Sequence, residues 1–169
     1  LPDTLREISG LAEIDSVTFA CIQDENGILF IYDLVENKIK SQYTFNIDGD
    51  YEGITRIGET MYILRSDGVL FEIVNYTSKT FELNSYETKI PSDNNEGLCY
   101  DAENNCLLIA SKGKVGKGGE FKDLRVIYSF DLTTKQLSEE PVYEFDVKDI
   151  KDFAIENKVD LPTKTRTKK

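Results

Sequence analysis

From residue 8 to residue 145, apolar and polar positions alternate in runs of four to eight, broken by Gly, Asn and Asp, which predicts short strands joined by tight turns. Apolar runs at 17–22, 28–34 and 39–45 follow the opening Glu7-Ile8-Ser9-Gly10-Leu11, with Asp24-Glu25-Asn26-Gly27 at the first turn. The same order recurs from Asp50-Tyr51-Glu52-Gly53-Ile54, where runs at 61–64 and 69–74 flank Ser66-Asp67-Gly68 and a run at 80–86 follows. It recurs again from Asn94-Asn95-Glu96-Gly97-Leu98, with a turn at Glu103-Asn104-Asn105, runs at 106–110 and 125–131, and a last strand near 142–145. Asp-Gly and Asn-Gly tolerate the positive φ of tight hairpins, so strands adjacent in sequence are expected to pair antiparallel.

The glycines of the three openings, Gly10, Gly53 and Gly97, lie 43 and 44 residues apart. A period of that size with four short strands per unit predicts an all-β chain, a β-propeller, with four-stranded blades at residues 7–46, 50–88 and 94–145. Helical periodicity occurs at 146–160, where Val147, Ile150, Phe153 and Ala154 share one face and Asp146 or Asp149 is placed to cap the start. Residues 161–169 have no apolar residue after Pro162 and read as an exposed tail whose Lys164, Arg166, Lys168 and Lys169 suit a trypsin-like protease. Propellers have four to eight blades, because a partial ring leaves blade faces open to water. The chain is therefore expected to be the N-terminal part of a longer polypeptide, with the C-terminal remainder supplying the missing blades.

Glu7-Ile8-Ser9-Gly10-Leu11, Asp24-Glu25-Asn26-Gly27, Gly49-Asp50-Tyr51-Glu52-Gly53-Ile54 and Tyr62-Ile63-Leu64-Arg65-Ser66-Asp67-Gly68 together resemble the SdiA-regulated propeller family, whose bacterial members are envelope-associated. The resemblance implies a five-bladed propeller with a calcium site, distantly related to propellers built of NHL repeats. Five units of this period need roughly 250 residues, about two blades more than are present.

In a propeller the first strand of each blade lines the central channel, so Glu52 and Glu96 are expected to converge at one end, with Ser9 at the equivalent place. Carboxylates held close repel one another, and a hard cation taking six to eight oxygens relieves that repulsion. With no histidine in the chain and the cysteines elsewhere, Ca²⁺ suits these residues better than zinc. Asp50 and Asn95 are secondary candidates, and the missing blades would complete the shell. The competing reading is structural: each glutamate accepts backbone hydrogen bonds from the neighbouring blade, and the glycine permits a tight strand entry.

Charge narrows the classes further. Residues 1–157 carry 30 acids against 15 bases, which argues against the basic footprint that nucleic acid requires. No apolar stretch approaches a membrane span. A start at Leu1 without Met points to an export signal or a cut upstream, in keeping with an extracytoplasmic protein of the periplasm or cell envelope. Cys21, Cys99 and Cys106 sit in apolar runs and read as buried free thiols, with pairing of Cys99 and Cys106 across a hairpin as the alternative. Asp24-Glu25-Asn26-Gly27 reads as a turn and not an EF-hand loop, and residues 112–119, which lack phosphate-loop spacing, read as a mobile insertion. Asn75-Tyr76-Thr77 is a formal glycosylation sequon in a turn, and Phe30, Tyr32, Phe71 and Phe81 are expected to fill the core between blades.

Two functional classes follow. One is a non-catalytic, calcium-binding scaffold or binding module, whose protein or small-molecule ligand the sequence does not identify. The other is a calcium-dependent hydrolase of the lactonase or phosphoesterase type, with the metal in the channel. No nucleophile and base pair stands at meaningful spacing, which favours the scaffold.

Overall fold

In a computed structural model, which describes residues 2–78, 80–116, 118–119 and 121–161, the chain folds into three antiparallel sheets and one helix. Blade one is β1 (Ile8–Glu13), β2 (Thr18–Gln23), β3 (Ile28–Asp33) and β4 (Lys38–Thr44), paired in sequence order. Blade two repeats this with β5 (Tyr51–Ile57), β6 (Thr60–Arg65), β7 (Val69–Val74) and β8 (Glu82–Glu87). Blade three has β9 (Asn95–Asp101), β10 (Cys106–Ser111) and β11 (Leu124–Asp131). Its outermost position is shared by β12 (Gln136–Leu137) and β13 (Tyr143–Asp146), which pair with opposite ends of β11. The expected single last strand is thus split, and Pro141, which has no N–H to give a ladder, lies in the gap. The basic tail residues Lys164, Arg166, Lys168 and Lys169 lie outside the described residues.

Alternation explains how the blades stack. Each strand sends every second side chain to one face of its sheet, so one blade contributes to two cores. Ala20, Ile22, Leu29 and Ile31 of blade one meet Ile54, Met61, Ile63, Phe71 and Ile73 of blade two. The opposite face of blade two, with Tyr62, Leu64 and Leu70, meets Leu107, Ile109, Val126, Tyr128 and Phe130 of blade three. Phe71 is inter-blade core, and Phe81 packs at its margin. Phe30 and Tyr32 instead face away from blade two, where with Cys21 they are covered by Leu5 from the 3-10 turn Asp3–Leu5. The N-terminal turn caps what the sequence reading had assigned to a blade interface.

The sequence repeat has a structural cause. Each innermost strand begins with a β-bulge, and the bulged residue is Ser9 in blade one, Glu52 in blade two and Glu96 in blade three. The next residue is glycine, in blades one and two because the following blade's inner strand passes too close for a side chain, and in blade three because Ala110 of β10 does. A Cβ on Gly10 would meet Ile54 Cγ2 at 2.9 Å, and one on Gly53 would meet Leu98 Cβ at 2.8 Å. The strands are also stitched, since Tyr51 N–H donates to Asp24 O at 3.0 Å and Asn95 N–H donates to Ser66 O at 2.9 Å.

α1 (Val147–Glu156) starts where Asp146 accepts a hydrogen bond from Lys148 N–H, a side-chain N-cap. Ala154 is its buried residue, while Ile150 and Phe153 are exposed. All three cysteines are free. Cys21 and Cys106 are buried as expected, but Cys99 is exposed because it lies on the face of blade three turned away from blade two.

Candidate functional site

The three bulges place Ser9, Glu52 and Glu96 at the same end of adjacent inner strands. Glu96 comes close enough to Glu52 to affect its ionisation. Partial burial, then repulsion from Asp50 and from Glu96, pushes the Glu52 carboxyl up to about 7, against a small opposing pull from Lys112. Lys112 Nζ donates to Glu96 Oε1 at 2.6 Å and Asn94 Nδ2 to the same oxygen at 3.2 Å. The cluster therefore holds three carboxyls and one ammonium, and its deficit of positive charge falls on Glu52.

Asn95 is turned elsewhere. It is fully buried, its Nδ2 donates to Ser66 O and to Ser92 O at 3.0 Å each, and its Oδ1 accepts from Ser92 Oγ at 2.7 Å. These bonds occupy both ends of its amide and fix the junction of blades two and three. Asp50, by contrast, is exposed beside Glu52.

Blade one adds three oxygens, from Ser9 at the position equivalent to Glu52 and Glu96, from Asp24, expected only as a turn residue, and from Gln23, which no sequence motif marked. Ser9 Oγ, Gln23 Oε1 and Asp24 Oδ1 are shielded from solvent and have no hydrogen-bond partner. Gln23 pairs with Ile8 beside the Ser9 bulge, and Asp24 carries the carbonyl that Tyr51 N–H reaches, so all three belong to the junction leading to Asp50 and Glu52. Aligning the repeats would have found Asp24, since it stands where blade three has Lys112. Among the described residues, no three acidic or cysteine side chains converge closely enough to hold a metal by themselves.

A second polar cluster joins blades two and three. Glu72, buried in β7, accepts from Lys135 Nζ at 2.7 Å, from Tyr86 Oη at 2.6 Å and from Tyr62 Oη. The ammonium also stands 5.5 Å from the Tyr62 ring centre and 5.2 Å from that of Tyr86. Burial alone would raise the Glu72 carboxyl, but these donors outweigh it and hold the group below the ordinary range.

The sequence matches no family model and no curated protein. Solved structures do match. Over 80% of this chain and 37% of its own, Kuenenia stuttgartiensis hydrazine synthase is similar at a TM-score of 0.58 and 15% identity. A streptogramin B lyase matches over 86% of this chain and 42% of its own, at 0.56 and 11%. The β-propeller domain of Myceliophteria thermophila Cps50 (Swd1) matches over 82% and 41%, at 0.52 and 12%. At these identities the likeness establishes the propeller fold alone. The chain spans about two fifths of each of these proteins. No helix among the described residues is long and apolar enough to cross a membrane.

Proposed function

We propose that this chain is an arc of a larger propeller that acts as a scaffold or binding module, with an acidic channel mouth that takes a hard cation such as Ca²⁺. The observation that supports it most is the repeated bulge, which sets Glu52 and Glu96 together with Asp50 while Ser9, Gln23 and Asp24 hold unpartnered oxygens nearby. Every free group in this donor set is an oxygen, which fits calcium chemistry and not zinc chemistry. Asp50, Glu52 and Glu96 would hold part of the shell, and a bound cation would add positive charge beside Glu52, where Lys112, hydrogen-bonded to Glu96, exerts only a small pull. Further blades of the same polypeptide would add the remaining oxygens and close the ring, in line with the share of the solved propellers that the chain spans. The likeness of four sequence motifs to the SdiA-regulated propellers supports the same reading and with it a place in the bacterial envelope. Thermal unfolding with and without Ca²⁺ tests the site: added calcium is expected to raise Tm, and Glu52→Gln to abolish the rise. A Tm unmoved by calcium and by chelator would refute it.

A further inference from the structure

Blades two and three each reach into the blade before them with the turn between the third and fourth strands. Blade two inserts Tyr76, which is 2% exposed and packs with Ala20 and Ile31 of blade one. Blade three inserts Lys135, whose ammonium enters blade two at Tyr62 and Glu72. Tyr62 and Glu72 face each other across β6 and β7, and Tyr62 lies two residues before Leu64, the partner of Gly53. The corresponding pair in blade three is Leu108 and Ser129, with Leu108 two residues before Ala110, the partner of Gly97. Around that pair lies a recess of about 330 Å³, walled by Leu108, Ser129, Val142 and Tyr143 and bordered by Asp101 and Asp131.

The chemistry of the recess selects what enters it. Leu108, Val142 and Tyr143 give its walls an apolar part, and its two carboxylates are held below the ordinary range by hydrogen bonds. At Asp101 these come from the side chain and N–H of Asn104, and at Asp131 from Thr134 N–H and Thr133 N–H. Both therefore remain anionic at neutral pH. An aliphatic stem ending in a cation satisfies walls and rim together, as Lys135 does at Tyr62 and Glu72. Blade one of a second copy does not supply such a group. Its counterpart of Lys135 in the turn is the uncharged Asn37, at φ 53° against 57° for Lys135, while Lys38 and Lys40 are tied to Glu36 and Asp33.

We infer that the recess on the open face of blade three is the docking point of a following blade, filled by a lysine or arginine from the turn between that blade's third and fourth strands. The inference rests on the reading that the chain is an arc of a larger ring.

The 169-residue chain tests this with a soluble stand-in for the side chain. Titration with n-butylguanidinium, followed by amide NMR, is expected to shift Leu108, Ser129 and Asp131 at millimolar concentration, while n-butyl sulfonate leaves them in place. Asp131→Asn keeps the turn's acceptor oxygen but removes its charge, and is expected to weaken the titration by roughly threefold or more. Equal response to both probes, or to neither, would overturn the inference. So would a concentration-dependent dimer in sedimentation that protects Leu108 and Ser129, which would assign the face to a second copy. Neither readout involves Glu52, so failure here is separable from failure of the cation site.

Discussion

Glu52 is a residue whose ionisation is set by its surroundings. Its folded-state pKa, about 7, stands above the ordinary 4.5 because burial and the charges of Asp50 and Glu96 disfavour the anion. A raised carboxyl favours the folded state at low pH, so its contribution is complete below about 4.5 and is lost as pH rises through about 7. Glu52→Gln is expected to flatten the stability profile between those limits, by on the order of 1 kcal/mol once solvent screening at a partly exposed site is discounted. Urea denaturation at pH 5 and pH 8 measures it, and an unchanged difference between the two pH values would remove Glu52 from the cluster. At neighbouring Asn95 the same scale gives the opposite result, since an amide that looks like a ligand in sequence is consumed by Ser66 and Ser92.

At the scale of the element, the bulge and the glycine after it are one device. The bulge re-aims one side chain, and in blades one and two the glycine lets the next blade's strand approach. Gly53→Ala places a methyl group 2.8 Å from Leu98 Cβ and 3.4 Å from Glu96 O. The expected cost is about 1–3 kcal/mol, the range for overpacking, read as a lower midpoint in denaturant with an unchanged slope. Gly58, whose added Cβ would meet nothing but whose φ is +59°, is the control: there the cost comes from backbone conformation and not from the blade junction.

For the molecule as a whole, stability depends on how strongly the blades are coupled. The core between blades two and three contains a charged lock, with Lys135 held by Glu72 and by the faces of two tyrosines. Lys135→Ala leaves Glu72 nearly buried with its tyrosine donors but without its counter-charge, at an expected cost of roughly 2–4 kcal/mol. Because the loss falls at one junction, blade three is expected to open before blades one and two, visible as earlier hydrogen exchange at β10 and β11. Uniform loss of protection across all three blades would show that the lock is not what couples them.

The repeat of Gly10, Gly53 and Gly97 was enough to read three blades, their strand order and the kinship of Ser9, Glu52 and Glu96, because a period of 43 to 44 residues and hairpin turns are local signals. A helix start at Asp146 or Asp149 was legible from local signals too, and the side-chain cap falls at Asp146. Other features depended on which face a residue presents. Alternation along a strand shows that Phe30 and Cys99 lie on one side or the other, but only packing decides that Leu5 covers Phe30 and that nothing described covers Cys99. The unpartnered oxygens of Ser9, Gln23 and Asp24, the lock at Glu72 and the recess at Leu108 each join residues from strands or blades far apart in sequence. No local pattern encodes such a meeting, because it arises where one sheet is laid against another. By itself the sequence determined the blade and its repetition, through short-range turn chemistry and alternation. The tertiary structure decided which carboxyls share a field, which amide is already spent and which face is left open, since each of these depends on distances that the chain sets only by packing.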